Sequence, residues 1–151
     1  MSKTMQERRE LKCHIFPLDF LTDYEYVAVC SYYMGKWILS KHKQRNCWEH
    51  QGGHIKKGET PLYSAKRELY EESGIENATL IPLCDYIGYH STRQANGKVY
   101  LAIVNQLSNL PESEMESVSL FDKLPNELTY PIVTPCFFNE AKKALNLLKN
   151  K

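Results

Sequence analysis

Apolar positions follow two different rhythms along this chain. From Tyr24 to Tyr33 the residues are mostly Val, Ala and Tyr; the run stops at Met34-Gly35-Lys36 and resumes with Trp37-Ile38-Leu39-Ser40. That predicts two strands joined by a hairpin with glycine in its turn. Leu80 to Tyr89 and Val99 to Leu107 read as two more strands, with Asn96-Gly97 marking the turn between them. A short strand is expected at Ser117 to Phe121. Between these runs the rhythm changes. Thr60 can cap a helix whose first position is Pro61, Leu62, Ala65 and Leu69 share one helical stripe, and Gly74 stops it, giving a helix over about 61–73. Phe137, Phe138, Ala141, Ala144, Leu145 and Leu148 predict a second helix over about 135–149, with Lys on its other side. Gly52-Gly53 and the polar run to Glu59 have the composition of a loop. The sum is a mixed α/β domain.

A length of 151 residues fits a single domain, 1–151. Hydrophobic residues at 42% and charged residues at 25% exclude a disordered or fibrous chain. Nineteen Lys plus Arg against eighteen Asp plus Glu leave a formal charge of +1, so no long nucleic acid is expected as partner. The cysteines, Cys13, Cys30, Cys47, Cys84 and Cys136, are scattered without a close pair, which fits reduced thiols and a cytoplasmic location. Met1 to Leu11 is studded with charges, and no later stretch approaches the roughly 18 apolar residues of a membrane span. A soluble monomer or homodimer is expected.

The chemistry concentrates in residues 53–75. Glu68 lies three residues before Glu71 and four before Glu72, so the three carboxylates share one side of the expected helix, beside its apolar stripe. Like charges at that spacing cost about 0.2–0.5 kcal/mol per pair, and acids in a last turn oppose the helix dipole. Arg67 is one cation against three anions. Local stability does not account for the pattern, whereas Mg²⁺ or Mn²⁺, which take oxygen ligands, would.

Gly53, Glu59, Arg67, Glu68, Leu69, Glu71, Glu72, Gly74 and Ile75 satisfy every fixed position of the Nudix box, G-x5-E-x7-R-E-U-x-E-E-x-G-U. The chain therefore resembles the Nudix hydrolases, MutT-like enzymes among them. The resemblance implies an α/β/α sandwich around a central mixed sheet, with the box as loop, helix and loop. It implies that Glu68, Glu71, Glu72 and the Gly53 carbonyl hold Mg²⁺ or Mn²⁺, with Glu59 and Arg67 in support. The reaction implied is attack of water on a pyrophosphate linkage of a small nucleotide, a nucleoside di- or triphosphate, with 8-oxo-dGTP among the candidates. The alternatives are a non-catalytic nucleotide-binding or sensing module and a 5′-RNA-end pyrophosphohydrolase. The general base falls on a box glutamate, Glu71 or Glu72, or on a loop acid, Glu114 before Glu116. Candidate substrate contacts are Lys41, Lys43, Arg45, Trp48, His50 and Tyr89. Gln51 stands where many family members have proline, which places a polar group beside the loop.

Overall fold

The computed structural model describes residues 3–150; residues 1, 2 and 151, the ends of the expected 1–151 domain, lie outside the described residues. In chain order the elements are α1 (Met5–Glu10), β1 (Lys12–Phe16), β2 (Tyr26–Tyr33), β3 (Lys36–His42), β4 (Trp48–Glu49), β5 (Gln51–His54), α2 (Pro61–Ser73), β6 (Asn77–His90), β7 (Arg93–Gln106), β8 (Met115–Phe121) and α3 (Val133–Lys149). One mixed sheet runs β1-β6-β7-β2-β3-β4, with β5 paired to β2 and β8 to β3. Only β2 and β7 run parallel among these pairs; the rest are antiparallel. No described helix is long and apolar enough to cross a membrane.

Helices cover both faces of the sheet, which explains why β2 reads as a continuous apolar run and not as an alternation. Val27 and Val29 pack with Ala65 and Leu69 of α2, while Ala28 and Cys30 pack with Phe137, Phe138 and Ala141 of α3. The box helix forms over the expected residues. Thr60 accepts from the Tyr63 N–H at its start, and Gly74 ends it with φ 81°. Its stripe is narrower than expected: Ala65 and Leu69 are buried against β2, but Leu62 is exposed and lies outside the cluster they form. The C-terminal helix begins two residues before Pro135, which therefore sits in its first turn, where a missing N–H is harmless.

Two expectations are corrected. The turn between β6 and β7 lies at Ser91-Thr92, and Asn96-Gly97 sits inside β7. Gly97 is there because the Tyr86 ring lies across its backbone: a Cβ would stand 2.2 Å from Tyr86 Cζ. Asn96 donates from its side chain to the Thr22 carbonyl, and its own carbonyl accepts from the Glu25 N–H, so both groups tie down the segment before β2. The second correction concerns Gly52–His54, the start of the run to Glu59 that was expected to be loop; residues 55–59 are loop as expected. Gly52–His54 belong to β5, its register on β2 pairing Val29 with Gln51 and Val27 with Gly53.

Candidate active site

The Gly53 strand edge and the C-terminal half of α2 meet at the sheet. At Gly53 a Cβ would stand 2.7 Å from Cδ and Oε1 of Glu68 and 2.9 Å from its Oε2, so any other residue there would displace this carboxylate. The Glu68 carboxylate thus lies directly against the β5 backbone.

Arg67 is the hub of the cluster. Its Nε donates to Glu59 Oε2 at 2.6 Å and its Nη2 to Glu59 Oε1 at 2.8 Å, a bidentate pair, and Nη2 also reaches the His54 carbonyl at 3.0 Å. Nη1 donates to Glu68 at 2.8 Å and to both oxygens of Glu71 at 3.2 and 3.3 Å. Glu59 also accepts from Ser64 Oγ and the Lys56 N–H. The Arg67 hydrogen bonds, with those of Ser64 and Lys56, hold the Glu59 carboxyl down at about 2.

Glu72 is placed differently. One of its oxygens accepts from the Gly52 N–H at 2.9 Å, and among the described residues no guanidinium pairs with it. Desolvation, then the charges of Glu68, Glu49 and Glu114, push its carboxyl well above the ordinary range, against the Gly52 hydrogen bond. Glu68 is raised too, by desolvation, with Arg67 opposing.

Among the described residues no three His, Cys, Asp or Glu side chains form a ready-made metal cage. Mg²⁺ does not need one, since it is held by one or two carboxylates and keeps several waters for substrate phosphates. A desolvated carboxylate surrounded by acids, facing strand backbone with no cation of its own, fits a hard divalent ion. Glu72, Glu68 and Glu71 are the carboxylates that could hold it, beside the β5 backbone at Gly52 and Gly53.

The loop acids and the basic residues arrive together. Glu114 is largely exposed, with one oxygen 3.6 Å from Nε2 of the buried His42. Backbone N–H groups of Gln44 and Arg45 donate to His42 Nδ1, so the neutral ring carries its proton on the side facing Glu114. Glu116 lies 4.0 Å from Lys41 and Glu112 2.9 Å from Lys43. Arg45 donates to both oxygens of the buried Glu49, which also accepts from Thr129 Oγ1 at 2.8 Å. Each expected substrate cation is thus already paired with an acid.

The aromatic candidates are dispersed. Trp48 packs edge-on against Phe121 with Lys41 over its ring, and its backbone bonds Glu127 and Thr129. His50 shares a 2.8 Å hydrogen bond with Thr134 and packs against Phe137 and Tyr130, on the α3 side. Tyr89 stacks on His14 at the outer β1–β6 edge, with β7 between that edge and β2. The structure does not bring Tyr89 to the acids.

His50 gives a measurable acid signature. Desolvation lowers its pKa to about 4 from an unfolded value of about 6.5. In the interval between those values the unfolded chain binds a proton that the native ring refuses, so stability is present above 6.5 and lost as pH falls through 4. His50→Asn is expected to flatten this part of the curve of urea midpoint against pH; an unchanged slope would show that the ring titrates normally.

The expected carboxylates gather; the sequence reading left out Glu49, Ser31 and Ser40, and did not link His42 to Glu114 or Gln51 to the two serines. Only Gln51 had a signal in the sequence, as a polar residue in place of proline.

A mixed sheet covered by helices on both faces, with an acidic loop and helix against one strand edge, defines the class of protein. Residues 26–128 match the NUDIX domain family model, and the chain belongs to that family. An RNA pyrophosphohydrolase of Sulfurovum is 40% identical over 57 residues, 37% of this chain and 36% of that protein, so the match spans little more than a third of the relative's length. A pyrophosphohydrolase of Bacillus subtilis has a similar fold, with TM-score 0.71 and 22% identity over 89% of this chain and 90% of that one. So does a MutT NUDIX hydrolase of Burkholderia pseudomallei, with TM-score 0.61 and 23% identity over 75% and 95%.

Proposed function

We propose that this protein is a Mg²⁺- or Mn²⁺-dependent hydrolase of phosphoric anhydride linkages in nucleotides. The observation that carries this reading is Glu72, desolvated among Glu68, Glu49 and Glu114 and held to the β5 backbone without a guanidinium partner. Glu68, Glu71, Glu72 and the Gly53 carbonyl hold the ion, which when bound lowers the pKa of water and offsets phosphate charge. Arg67 and Glu59 keep the loop and helix in register. Glu114, which lies beside His42, or a box glutamate takes the proton of the attacking water; Glu116, beside Lys41, is the weaker candidate.

The substrate is a small polyphosphate, a nucleoside di- or triphosphate, because Lys41, Lys43 and Arg45 are paired with Glu116, Glu112 and Glu49 and offer no open stripe for a long backbone. A second reading, pyrophosphate removal from a triphosphorylated RNA end, is supported by the name of the Sulfurovum relative. Phosphate and pyrophosphate release should be measured with Mg²⁺ on GDP, dGTP, 8-oxo-dGTP and a 5′-triphosphorylated RNA oligonucleotide. Hydrolysis of at least one, abolished by EDTA, is expected. Tight nucleotide binding without turnover of any would replace the hydrolase with a sensing module.

A further inference from the structure

Behind Glu72 lies a buried polar chain that the roles above do not use. Ser31, Ser40 and Gln51 are each 0% exposed. Ser31 Oγ donates to Gln51 Oε1 at 2.7 Å, Gln51 Nε2 donates to Ser40 Oγ at 2.9 Å and to the Ile38 carbonyl at 3.3 Å, and Ser40 Oγ donates to the Glu72 carbonyl at 2.7 Å. The direction of this chain is set at both ends. The Ile38 and Glu72 carbonyls can only accept, so the amide cannot flip and the Ser40 hydroxyl cannot turn back without leaving an acceptor facing an acceptor.

We infer that Gln51, through Ser40, is a positioning residue for Glu72; the inference rests on the hydrolase reading above. Glu72 is gripped at two points, its carbonyl by Ser40 of β3 and its carboxylate by the N–H of Gly52, the residue next to Gln51 in β5. Gln51 joins those two strands where β2 changes partner, from β5 over Tyr26–Val29 to β3 over Ser31–Tyr33. The last carbonyls of α2 lack intrahelical partners, so this end of the helix takes its position from whatever meets them. Val27, Val29 and Ile38 pack in the same core cluster as Ala65 and Leu69 of α2. Three buried polar side chains are tolerated only because each is satisfied, and their common terminus is the helix end that carries Glu72.

The test uses the full chain with Gln51→Met and Ser40→Ala. Mn²⁺ affinity is read by electron paramagnetic resonance with the metal alone. Steady-state kinetics are read with the nucleotide of the panel above that the wild type turns over fastest, and thermal midpoints are recorded alongside. Mn²⁺ affinity and kcat are expected to fall by about tenfold or more in both variants, as for other groups that orient metal ligands, with KM within about twofold. A lowered thermal midpoint beside wild-type Mn²⁺ affinity and kcat would make the chain purely structural and overturn the inference. If Gln51→Met does not fold, Ser40→Ala, which deletes a single hydroxyl, gives the same discrimination. A wild type that neither binds Mn²⁺ nor hydrolyses any nucleotide overturns the hydrolase reading and this inference together; Mn²⁺-binding variants indistinguishable from an active wild type overturn this inference alone.

Discussion

Glu72→Gln is expected to lower kcat by about a hundredfold or more while making the metal-free protein more stable. Both effects follow from the same side chain. The amide keeps the shape and still accepts from the Gly52 N–H, but it has no charge to hold a divalent ion. In the wild type, desolvation and the neighbouring acids raise the folded-state pKa above the unfolded one. A raised pKa contributes stability below the unfolded value that is lost as pH rises through the folded value, so ionising this carboxyl in the metal-free fold costs stability. Relieving it is expected to raise the thermal midpoint of the metal-free protein. Mg²⁺ should reverse the order: the wild type gains about 2.7 kcal/mol at a concentration one hundred times Kd, the variant much less. Thermal scans with and without Mg²⁺, beside turnover, check this. A variant as active as the wild type, or equally stabilised by Mg²⁺, would remove Glu72 from the metal site.

Arg67→Lys is the second large effect, because the substitution keeps the charge and loses the fork. Five donors in one plane serve Glu59, Glu68, Glu71 and the His54 carbonyl. An ammonium can satisfy only part of that set and cannot make the bidentate pair with Glu59. Mg²⁺ affinity is expected to fall about 10–100-fold. The Glu59 linkage should weaken too. With its pKa depressed to about 2, Glu59 supports the fold above the unfolded value of about 4.5 and loses that support as pH falls toward 2. Acid unfolding of Arg67→Lys should therefore begin at a higher pH than in the wild type. Equal acid midpoints and equal Mg²⁺ titrations would show that the fork is dispensable.

The box was fully legible in the sequence because its residues are local: cap, stripe, acids and stop all lie on one helix, and helical spacing alone brings Glu68, Glu71 and Glu72 to one side. The β2–β3 hairpin was legible for the same reason. Legibility failed where distant segments decide. Asn96-Gly97 has the composition of a turn, yet Gly97 is small because Tyr86 crosses it. Gly52–His54 looks like loop but becomes strand because β2 offers an edge. For Lys41 and Lys43, expected as substrate contacts, the acidic neighbours could not be read from the sequence, because the pairing of β3 with β8 brings Glu116 and Glu112 to them. Glu49 could not be singled out, since its value depends on Thr129 and on the approach of Glu72.

The parallel pairing of β2 with β7 has a consequence for synthesis. On one of its two edges β2 pairs residues 26–32 with residues 97–103, so during translation that edge of the β2–β3 hairpin stays open until the second half emerges. Such distant pairing is slow to nucleate, and the waiting edge is open to unwanted association. Yield on expression, more than equilibrium stability, is where substitutions along that seam would first be felt.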